Sequence, residues 1–240
     1  MKGIILAGGS GTRLRPLTTI TSKQLLPIYN KPMILYPLQT LLTAGIREVL
    51  IIVAPNNAGD FLKLLGSGKE YGCKFTYEIQ DKPEGLPQAF LIGESFMNND
   101  DVTLILGDNI FEDDFSESIR SFQGGGRVFA KQVPDPERFG VVEFDEQRKV
   151  VSIVEKPTEP KSDYSVTGLY IYDNTVVEKT KNLQFGKRGE LEITDLNNVY
   201  LNEGNLDVAF VNGHWFDTGT FESMYEAISF VRGRELAKQQ

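Results

Sequence analysis

A glycine-rich segment with cationic side chains follows the first apolar run of the sequence. Residues 6–16 read LAGGSGTRLRP, in which three glycines and two residues with hydroxyl side chains precede Arg13. Glycines let successive backbone N–H groups approach an anion closely, and a guanidinium adds a charged, forked donor. Lys23 can supply a second cation. The segment predicts a phosphate-binding loop, although a plain tight turn would use the same glycines.

Two aspartates are candidates for a metal site. Asp108 follows the apolar run Val102 to Leu106, and Asp217 lies in the segment Trp215 to Gly219. Mg²⁺ prefers oxygen ligands and is commonly held by one or two carboxylates together with substrate phosphates and water. Each aspartate could equally cap a helix or a turn, so the residues alone leave both interpretations open.

Other nucleotide motifs do not fit this sequence. The dinucleotide fingerprint requires a third glycine where Leu14 stands, which argues against a nicotinamide cofactor and a dehydrogenase. The pair Gly68-Lys69 is followed by Glu70 rather than by Ser or Thr, so it is not a P-loop. His214 is the sole histidine, and no glycine-flanked nucleophile accompanies it.

Composition limits the class of protein. The 240 residues carry a formal net charge of −8, which argues against nucleic acid as a partner. The single cysteine, Cys73, excludes an intramolecular disulfide and favours a cytoplasmic location. No apolar run is long enough to cross a membrane, so we expect no membrane partner. The length of the chain suits a single domain over residues 1–240.

In the first half of the chain, predicted strands alternate with predicted helices, and these elements must position the candidate side chains. Short apolar runs predict buried strands at Gly3 to Leu6, Val49 to Val53 and Val102 to Leu106, and helical spacing predicts helices over Pro32 to Ala44 and Gly85 to Phe96. Such alternation predicts an α/β fold with a doubly wound, mostly parallel, Rossmann-like sheet covered by helices on both faces.

After Gly124 the pattern changes to strands joined by short polar turns. This change predicts antiparallel strand additions and divides the domain at about residues 1–123 and 124–240. The predicted strands are Val128 to Lys131, Gly140 to Phe144, Val150 to Glu155, Leu169 to Tyr172 and Val208 to Val211. The predicted helices are Leu191 to Leu201 and Phe221 to Arg232.

A series of segments resembles the sugar-1-phosphate nucleotidyltransferase family. The segments are LAGGSGTRL at 6–14, SKQLLP at 22–27, Lys31-Pro32, 85–90, 106–109, 136–144, Glu155-Lys156-Pro157, 189–195 and 215–220. They follow the family order and span nearly the whole chain. The resemblance is greatest to the shorter members that convert dTTP and α-D-glucose 1-phosphate into dTDP-glucose and pyrophosphate with Mg²⁺.

The resemblance implies a role for each matching residue. Arg13, Lys23, Asp108 and Lys156 would be the catalytic residues, and Asp108 and Asp217 would hold Mg²⁺. The remaining residues on the nucleotide side would be Gly8, Gly11, Thr12, Gln24, Gln80 and Gly85. Those on the sugar side, where the antiparallel additions lie, would be Asn109, Gly140, Glu155, Lys156 and Val166. Without the family, a plain ion pair of Glu155 with Lys156 is as good an interpretation.

The sequence departs from the family pattern in a few places. Phe139 replaces a common Tyr, Arg15 a common aromatic residue and Pro87 a small residue, while the chain ends soon after the helix that begins at Phe221. Longer members carry a further helical region with an assembly interface and an allosteric site, so neither the feedback inhibition nor the tetramer of those members is implied here. The resemblance still implies a homo-oligomer, either a dimer or a tetramer. The alternatives are the same chemistry with UTP or another sugar 1-phosphate, or a catalytically silent sensor of nucleotide sugars.

Overall fold

The computed structural model describes residues 1–147, 149–186 and 189–239. The strands are β1 (Lys2–Ala7), β2 (Pro27–Ile28), β3 (Lys31–Pro32), β4 (Glu48–Val53), β5 (Lys74–Ile79), β6 (Val102–Leu106), β7 (Asn109–Phe111), β8 (Gly126–Gln132), β9 (Gly140–Phe144), β10 (Val150–Glu155), β11 (Tyr164–Tyr172), β12 (Leu206–Phe210) and β13 (Trp215–Asp217). The helices are α1 (Leu35–Thr43), α2 (Ala58–Leu65), α3 (Gln88–Ile92), α4 (Glu94–Met97), α5 (Ser116–Arg120), α6 (Val176–Lys181), α7 (Ile193–Asn202) and α8 (Phe221–Ala237).

The centre of the main sheet is parallel. Its strands run in the order β6-β1-β4-β5, and β1 pairs in register with both β4 and β6. The chain first moves outward from β1 to β4 and β5 and then returns to place β6 on the other side of β1. This reversal of strand order creates a switch point between β1 and β6, where ligands of open α/β sheets bind.

Alternating side chains of the buried strands supply two hydrophobic cores, one on each face of the sheet. Ile4 and Leu6 pack with Phe90 and Leu196 from α3 and α7, whereas Ile5 packs on the other face. That second face is covered by α1, α2 and α5. Helices therefore lie on both faces, which confirms the doubly wound arrangement predicted from the alternating pattern.

The second half of the chain extends the sheet with antiparallel strands. β11 lies antiparallel to β6, β8 and β9, and β10 lies antiparallel to β9 at the end of the sheet. The antiparallel additions predicted after Gly124 are thus confirmed, while β12 pairs parallel to β8. A short ladder of β7 and β13 stands apart from the main sheet.

Some predicted elements differ from those observed. Gly85 to Phe96 is not one helix, because α3 ends at Gly93 and α4 begins again after it, while Gly85 forms a bridge to Leu191. The first long helix begins at Leu35 rather than Pro32, since Lys31–Pro32 pair with Pro27–Ile28. The last helix reaches Ala237, five residues beyond the predicted end, and has a capping box at Thr220.

In the described part of the chain, no helix is long and apolar enough to cross a membrane.

Replacing Phe90 with alanine should destabilise the fold strongly. The Phe90 side chain is fully buried and meets the ring of Tyr172 edge-on at 5.3 Å. Removal of such a ring leaves a cavity, and we expect the free energy of unfolding to fall by about 3–5 kcal/mol in urea denaturation. Leu62→Ala is the control, because Leu62 is 48% exposed and its loss should cost less than about 0.5 kcal/mol. Equal losses would contradict this assignment of the core.

Candidate active site

A cavity of about 740 Å³ opens at the switch point between β1 and β6. We call it the central cavity. The residues proposed from the sequence that line it are Arg13, Lys23, Gln24, Gln80, Gly85, Asp108, Asn109, Gly140, Glu155, Lys156, Val166 and Asp217. Gly8, Gly11 and Thr12 do not line it, although their neighbours Gly9 and Arg13 do. The structure therefore gathers residues from both halves of the chain around one space.

The two candidate metal-binding aspartates meet because β13 pairs with β7. In this ladder Asp217 lies opposite Asn109, the neighbour of Asp108. Thr218 fixes the pairing further, since its backbone N–H and its hydroxyl both donate to the carbonyl of Asp108, at 3.0 and 2.7 Å. Residues about a hundred positions apart in the sequence are thus held side by side at the cavity wall.

The charges of this pair are unequally compensated. Lys23 forms a short ion pair with Asp108, and only 8% of Asp108 is exposed. Burial alone would raise the pKa of Asp108, but the charge of Lys23 and hydrogen bonds from Lys23 and Asn109 outweigh it and hold the pKa below its usual value. Burial and the charge of Asp108 raise the pKa of Asp217 to about 6. Asp217 is thus the less compensated carboxylate.

These carboxylates fit a hard divalent cation. Both are oxygen donors on one wall of the cavity, and Asp217 carries an unfavourable negative charge that a cation would neutralise. In residues 1–147, 149–186 and 189–239, no three side chains of His, Cys, Asp or Glu are grouped to hold a metal. The donor set supplied by the described residues is therefore two carboxylates, which leaves further positions for oxygens of a substrate.

The glycine-rich loop places a guanidinium at the rim of the cavity. Gly11 has a φ of 60°, and its carbonyl accepts from the hydroxyl of Thr18 at 2.7 Å. The short 3-10 turn Thr12–Leu14 follows and directs Arg13 toward Gly219, where a Cβ would lie 2.8 Å from Arg13 Nη2. Whereas Lys23 is paired with Asp108, Arg13 makes no ion pair with any described residue.

The next part of the wall is formed by Gln80, which follows β5 and is 4% exposed. It packs closely on the glycine-rich loop, since a Cβ at Gly8 would lie 2.1 Å from Gln80 Oε1. Gly85 stands nearby with a φ of 106°, and a Cβ there would lie 2.0 Å from the carbonyl of Leu191. Gly8 and Gly85 therefore contribute space and backbone approach rather than side-chain chemistry.

The far end of the cavity is formed by the antiparallel additions. Glu155 Oε2 accepts from Thr194 Oγ1 at 2.6 Å, and Glu155 Oε1 pairs with Lys156 Nζ at 2.9 Å. Gly140 lies opposite Glu155 in the ladder of β9 and β10. The ion pair that the sequence left open is therefore present, and it lies in the cavity wall beside Gly140.

Asn109 is positioned by its neighbours. Its Oδ1 accepts from Trp215 Nε1 at 2.6 Å and from the backbone of Gly168 at 3.0 Å, and its Nδ2 donates to Asp108 at 3.2 Å. The side chain is buried, and it ties the carboxylate wall to β11 and β13. Asn109 thus joins the aspartate pair to the far end of the cavity.

Other residues of the cavity wall were not predicted. Arg138 lines the cavity, where it pairs with Asp135 and lies over the ring of Phe139. Thr194 also lines it and orients Glu155 by a hydrogen bond. Gln88, which contacts Gln80, was also missed. Arg138 and Thr194 lie inside segments that carry the family resemblance, and this was the available signal. Their proximity to the cavity depends on pairings between distant strands.

An open α/β sheet with a glycine-rich loop, a guanidinium and two carboxylates at its switch point is typical of proteins that bind nucleotides through their phosphate groups. Comparison with known proteins gives a narrower class. The chain belongs to the nucleotidyl transferase family, whose family model matches residues 2–234.

Its relatives cover nearly the whole chain. It is 56% identical over 238 residues to the glucose-1-phosphate thymidylyltransferase of Neisseria meningitidis, covering 97% of this chain and 83% of that protein. It is 53% identical over 241 residues to the enzyme of the same name from Mycolicibacterium smegmatis, covering 98% and 84% of the two chains. A UDP-glucose pyrophosphorylase solved with UDP-glucose has a TM-score of 0.85 at 25% identity, covering 97% and 98%.

Replacing Asp217 with asparagine should stabilise the metal-free protein at neutral pH. A carboxyl whose pKa is raised on folding to about 6 makes the folded state relatively less stable above that pH, because the unfolded chain ionises at no such cost. The stability gained by Asp217→Asn should therefore be greatest near pH 7.5 and shrink as the pH falls through 6. Thermal unfolding in chelator across this range is the measurement, and a pH-independent difference would contradict the assignment.

Proposed function

We propose that this protein makes dTDP-glucose and pyrophosphate from dTTP and α-D-glucose 1-phosphate, with Mg²⁺ as its metal. The observation that carries the proposal is that Arg13, the two aspartates Asp108 and Asp217, and the Glu155–Lys156 ion pair all line the central cavity. A phosphate end and a polar, sugar-compatible end thus share one space. The names of its relatives supply the thymine base and the glucose.

The reaction requires no nucleophile from the protein. An oxygen of the sugar phosphate attacks the α-phosphorus of dTTP, the bond from that phosphorus to the bridging oxygen breaks, and pyrophosphate leaves with the electron pair. Transfer of this kind is catalysed by positioning the reactants and by stabilising negative charge. A cavity lined with cations and carboxylates, rather than with an activated Ser or Cys, suits that chemistry.

The cations have different positions and therefore different roles. Arg13, which has no ion-pair partner among the described residues, would bind the departing β- and γ-phosphates. Lys23, held beside Asp108, would stabilise charge near the α-phosphate. Mg²⁺ held by Asp108 and Asp217 would supply Lewis-acid stabilisation of phosphate oxygens. Lys156 would bind the sugar phosphate from the opposite side of the cavity.

The nucleotide would be bound by the first part of one nucleotidyltransferase domain, about residues 1–123, and the hexose mainly by the second part, about 124–240, with Asn109 contributed from the first. The nucleotide would be held by Gln80, the backbone at Gly85, and Gln24, with Gly8, Gly11 and Thr12 shaping the loop behind them. The hexose would be held by Glu155, Asn109, Gly140 and Val166. Glu155 is suited to accept hydrogen bonds from sugar hydroxyls because Thr194 fixes its carboxylate.

We propose that the enzyme is cytoplasmic, because its single cysteine suits a reducing compartment. We also propose that it forms a homo-oligomer, either a dimer or a tetramer, as the family resemblance implies.

The direct test is pyrophosphate release with Mg²⁺ and glucose 1-phosphate in the presence of each of five nucleoside triphosphates. We expect thymidine triphosphate to give the highest kcat/KM. Release with uridine triphosphate alone would keep the chemistry and overturn the nucleotide assignment. Binding of dTDP-glucose without release from any triphosphate would favour the sensor hypothesis instead.

Replacing Arg13 with alanine should lower kcat about a hundredfold, because loss of one preorganised charged donor removes stabilisation of the leaving phosphates. The KM for glucose 1-phosphate should change little. Arg15→Ala is the matched control, since Arg15 is exposed and does not line the cavity. Steady-state kinetics of both variants gives the comparison, and equal rates for Arg13→Ala and Arg15→Ala would remove Arg13 from the mechanism.

A further inference from the structure

A continuous series of hydrogen bonds joins Gln80, in the cavity wall, to the side chains of Gln88 and Glu84. Gln80 Nε2 donates to Gln88 Oε1 at 2.6 Å, and Gln88 Nε2 donates to Glu84 Oε2 at 2.9 Å. The backbone N–H of Glu84 also donates to Gln88 Oε1, at 3.1 Å. Gln80 faces the cavity, whereas Glu84 lies at the exposed end of the series.

The orientation of the Gln88 amide follows from the chemistry of its two contacts with Glu84. A carboxylate accepts hydrogen bonds, so the NH₂ group of Gln88 must face the Glu84 side chain. A backbone N–H can only donate, so the oxygen of Gln88 must face the Glu84 backbone. Exchanging the oxygen and nitrogen of Gln88 would break both contacts, so Gln88 has one favourable orientation.

This orientation fixes the Gln80 amide in turn. Gln88 presents an oxygen to Gln80, and an amide oxygen only accepts, so Gln80 must point its NH₂ group toward Gln88. The oxygen of Gln80 is then directed to the other side, toward Gly8. No described residue donates to this oxygen, and it is not one of the fully enclosed polar atoms without partners. Because Gln80 itself lines the cavity beside Gly9, this oxygen is an acceptor at the cavity wall with no donor among the described residues.

The backbone around this series is also held in place. Gln80 N donates to the carbonyl of Val53 at 2.9 Å, which anchors Gln80 beside the end of β4. Leu191 N donates to the carbonyl of Glu84 at 2.8 Å, which anchors the following loop. Gln88 is the first residue of α3. The series therefore connects fixed points, and its side chains have little freedom to rearrange.

We propose that Gln88 is a positioning residue for nucleobase choice, acting through Gln80. By holding the Gln80 oxygen toward the cavity, it selects bases with an imide N–H, as in thymine and uracil, and rejects cytosine, whose ring nitrogen at that position is an acceptor. An acceptor facing an acceptor leaves both unpaired, which is costly in a buried site. The inference rests on the proposed function, because it assumes that Gln80 contacts the base.

The test compares two replacements of Gln88. Gln88→Met keeps the length of the side chain but removes the acceptor, so Gln80 can turn its NH₂ group toward the base. The second variant, Gln88→Glu, is made together with Glu84→Gln, so that the amide at position 84 can donate to the new carboxylate. It keeps an oxygen that accepts from Gln80 and from the backbone of residue 84. The measurement is kcat/KM for dTTP, dCTP and UTP with saturating glucose 1-phosphate and Mg²⁺.

We expect Gln88→Met to lower the ratio of kcat/KM for dTTP over dCTP about tenfold, mainly through a higher KM for dTTP. Gln88→Glu should retain most of the discrimination. The ratio of dTTP over UTP should not change in either variant, because both bases carry the same imide. A role in packing alone would lower kcat/KM for all three nucleotides together.

Several results would overturn the inference. An unchanged dTTP to dCTP ratio in Gln88→Met would do so, as would equal loss of the ratio in Gln88→Met and Gln88→Glu. If circular dichroism shows that Gln88→Met does not fold, Gln88→Ala removes the same acceptor and suits the helix, and the same criteria apply to it. Failure of the unaltered protein to release pyrophosphate with dTTP would instead contradict the proposed function.

Discussion

The central constraint of this structure is that two carboxylates that repel each other, Asp108 and Asp217, lie in one wall of the cavity. Like charges repel, and burial increases the cost, so the pair persists only because surrounding structure enforces it. The ladder of β7 and β13 and the double hydrogen bond from Thr218 provide that enforcement, while Lys23 compensates one charge. The remaining charge makes the cavity attractive to a cation and raises the pKa of Asp217.

The walls of the central cavity depend on close contacts at glycines. A Cβ at Gly168 would lie 2.5 Å from Asn109 Oδ1, and one at Gly85 would lie 2.0 Å from the Leu191 carbonyl. These contacts connect the first half of the chain to the second. The cavity is therefore defined by backbone segments that pack more closely than side chains would allow, which keeps its polar groups at fixed separations.

Elements with a strong local pattern of hydrophobic residues were predicted from the sequence, and elements with a weak pattern were not. Continuous apolar runs identified β1, β4 and β6, because strands buried on both faces carry little polar surface. β5 and α2 were not predicted: β5 is an edge strand with several exposed side chains, and α2 is only eight residues long. The start of α3 at Gln88, three residues later than predicted, was missed because the bridge of Gly85 to Leu191 is a contact between distant residues.

The sequence by itself determined the parallel core, the glycine-rich loop and the residue types able to bind phosphate and metal, since these depend on local patterns of hydrophobicity and composition. The family resemblance added the roles of Glu155 and Lys156. Only the tertiary structure decided that Asp108 and Asp217 are adjacent, that Thr194 orients Glu155, and that Gln88 orients Gln80. These depend on strand register and on hydrogen-bond donors and acceptors meeting across the fold, neither of which is encoded in any one segment.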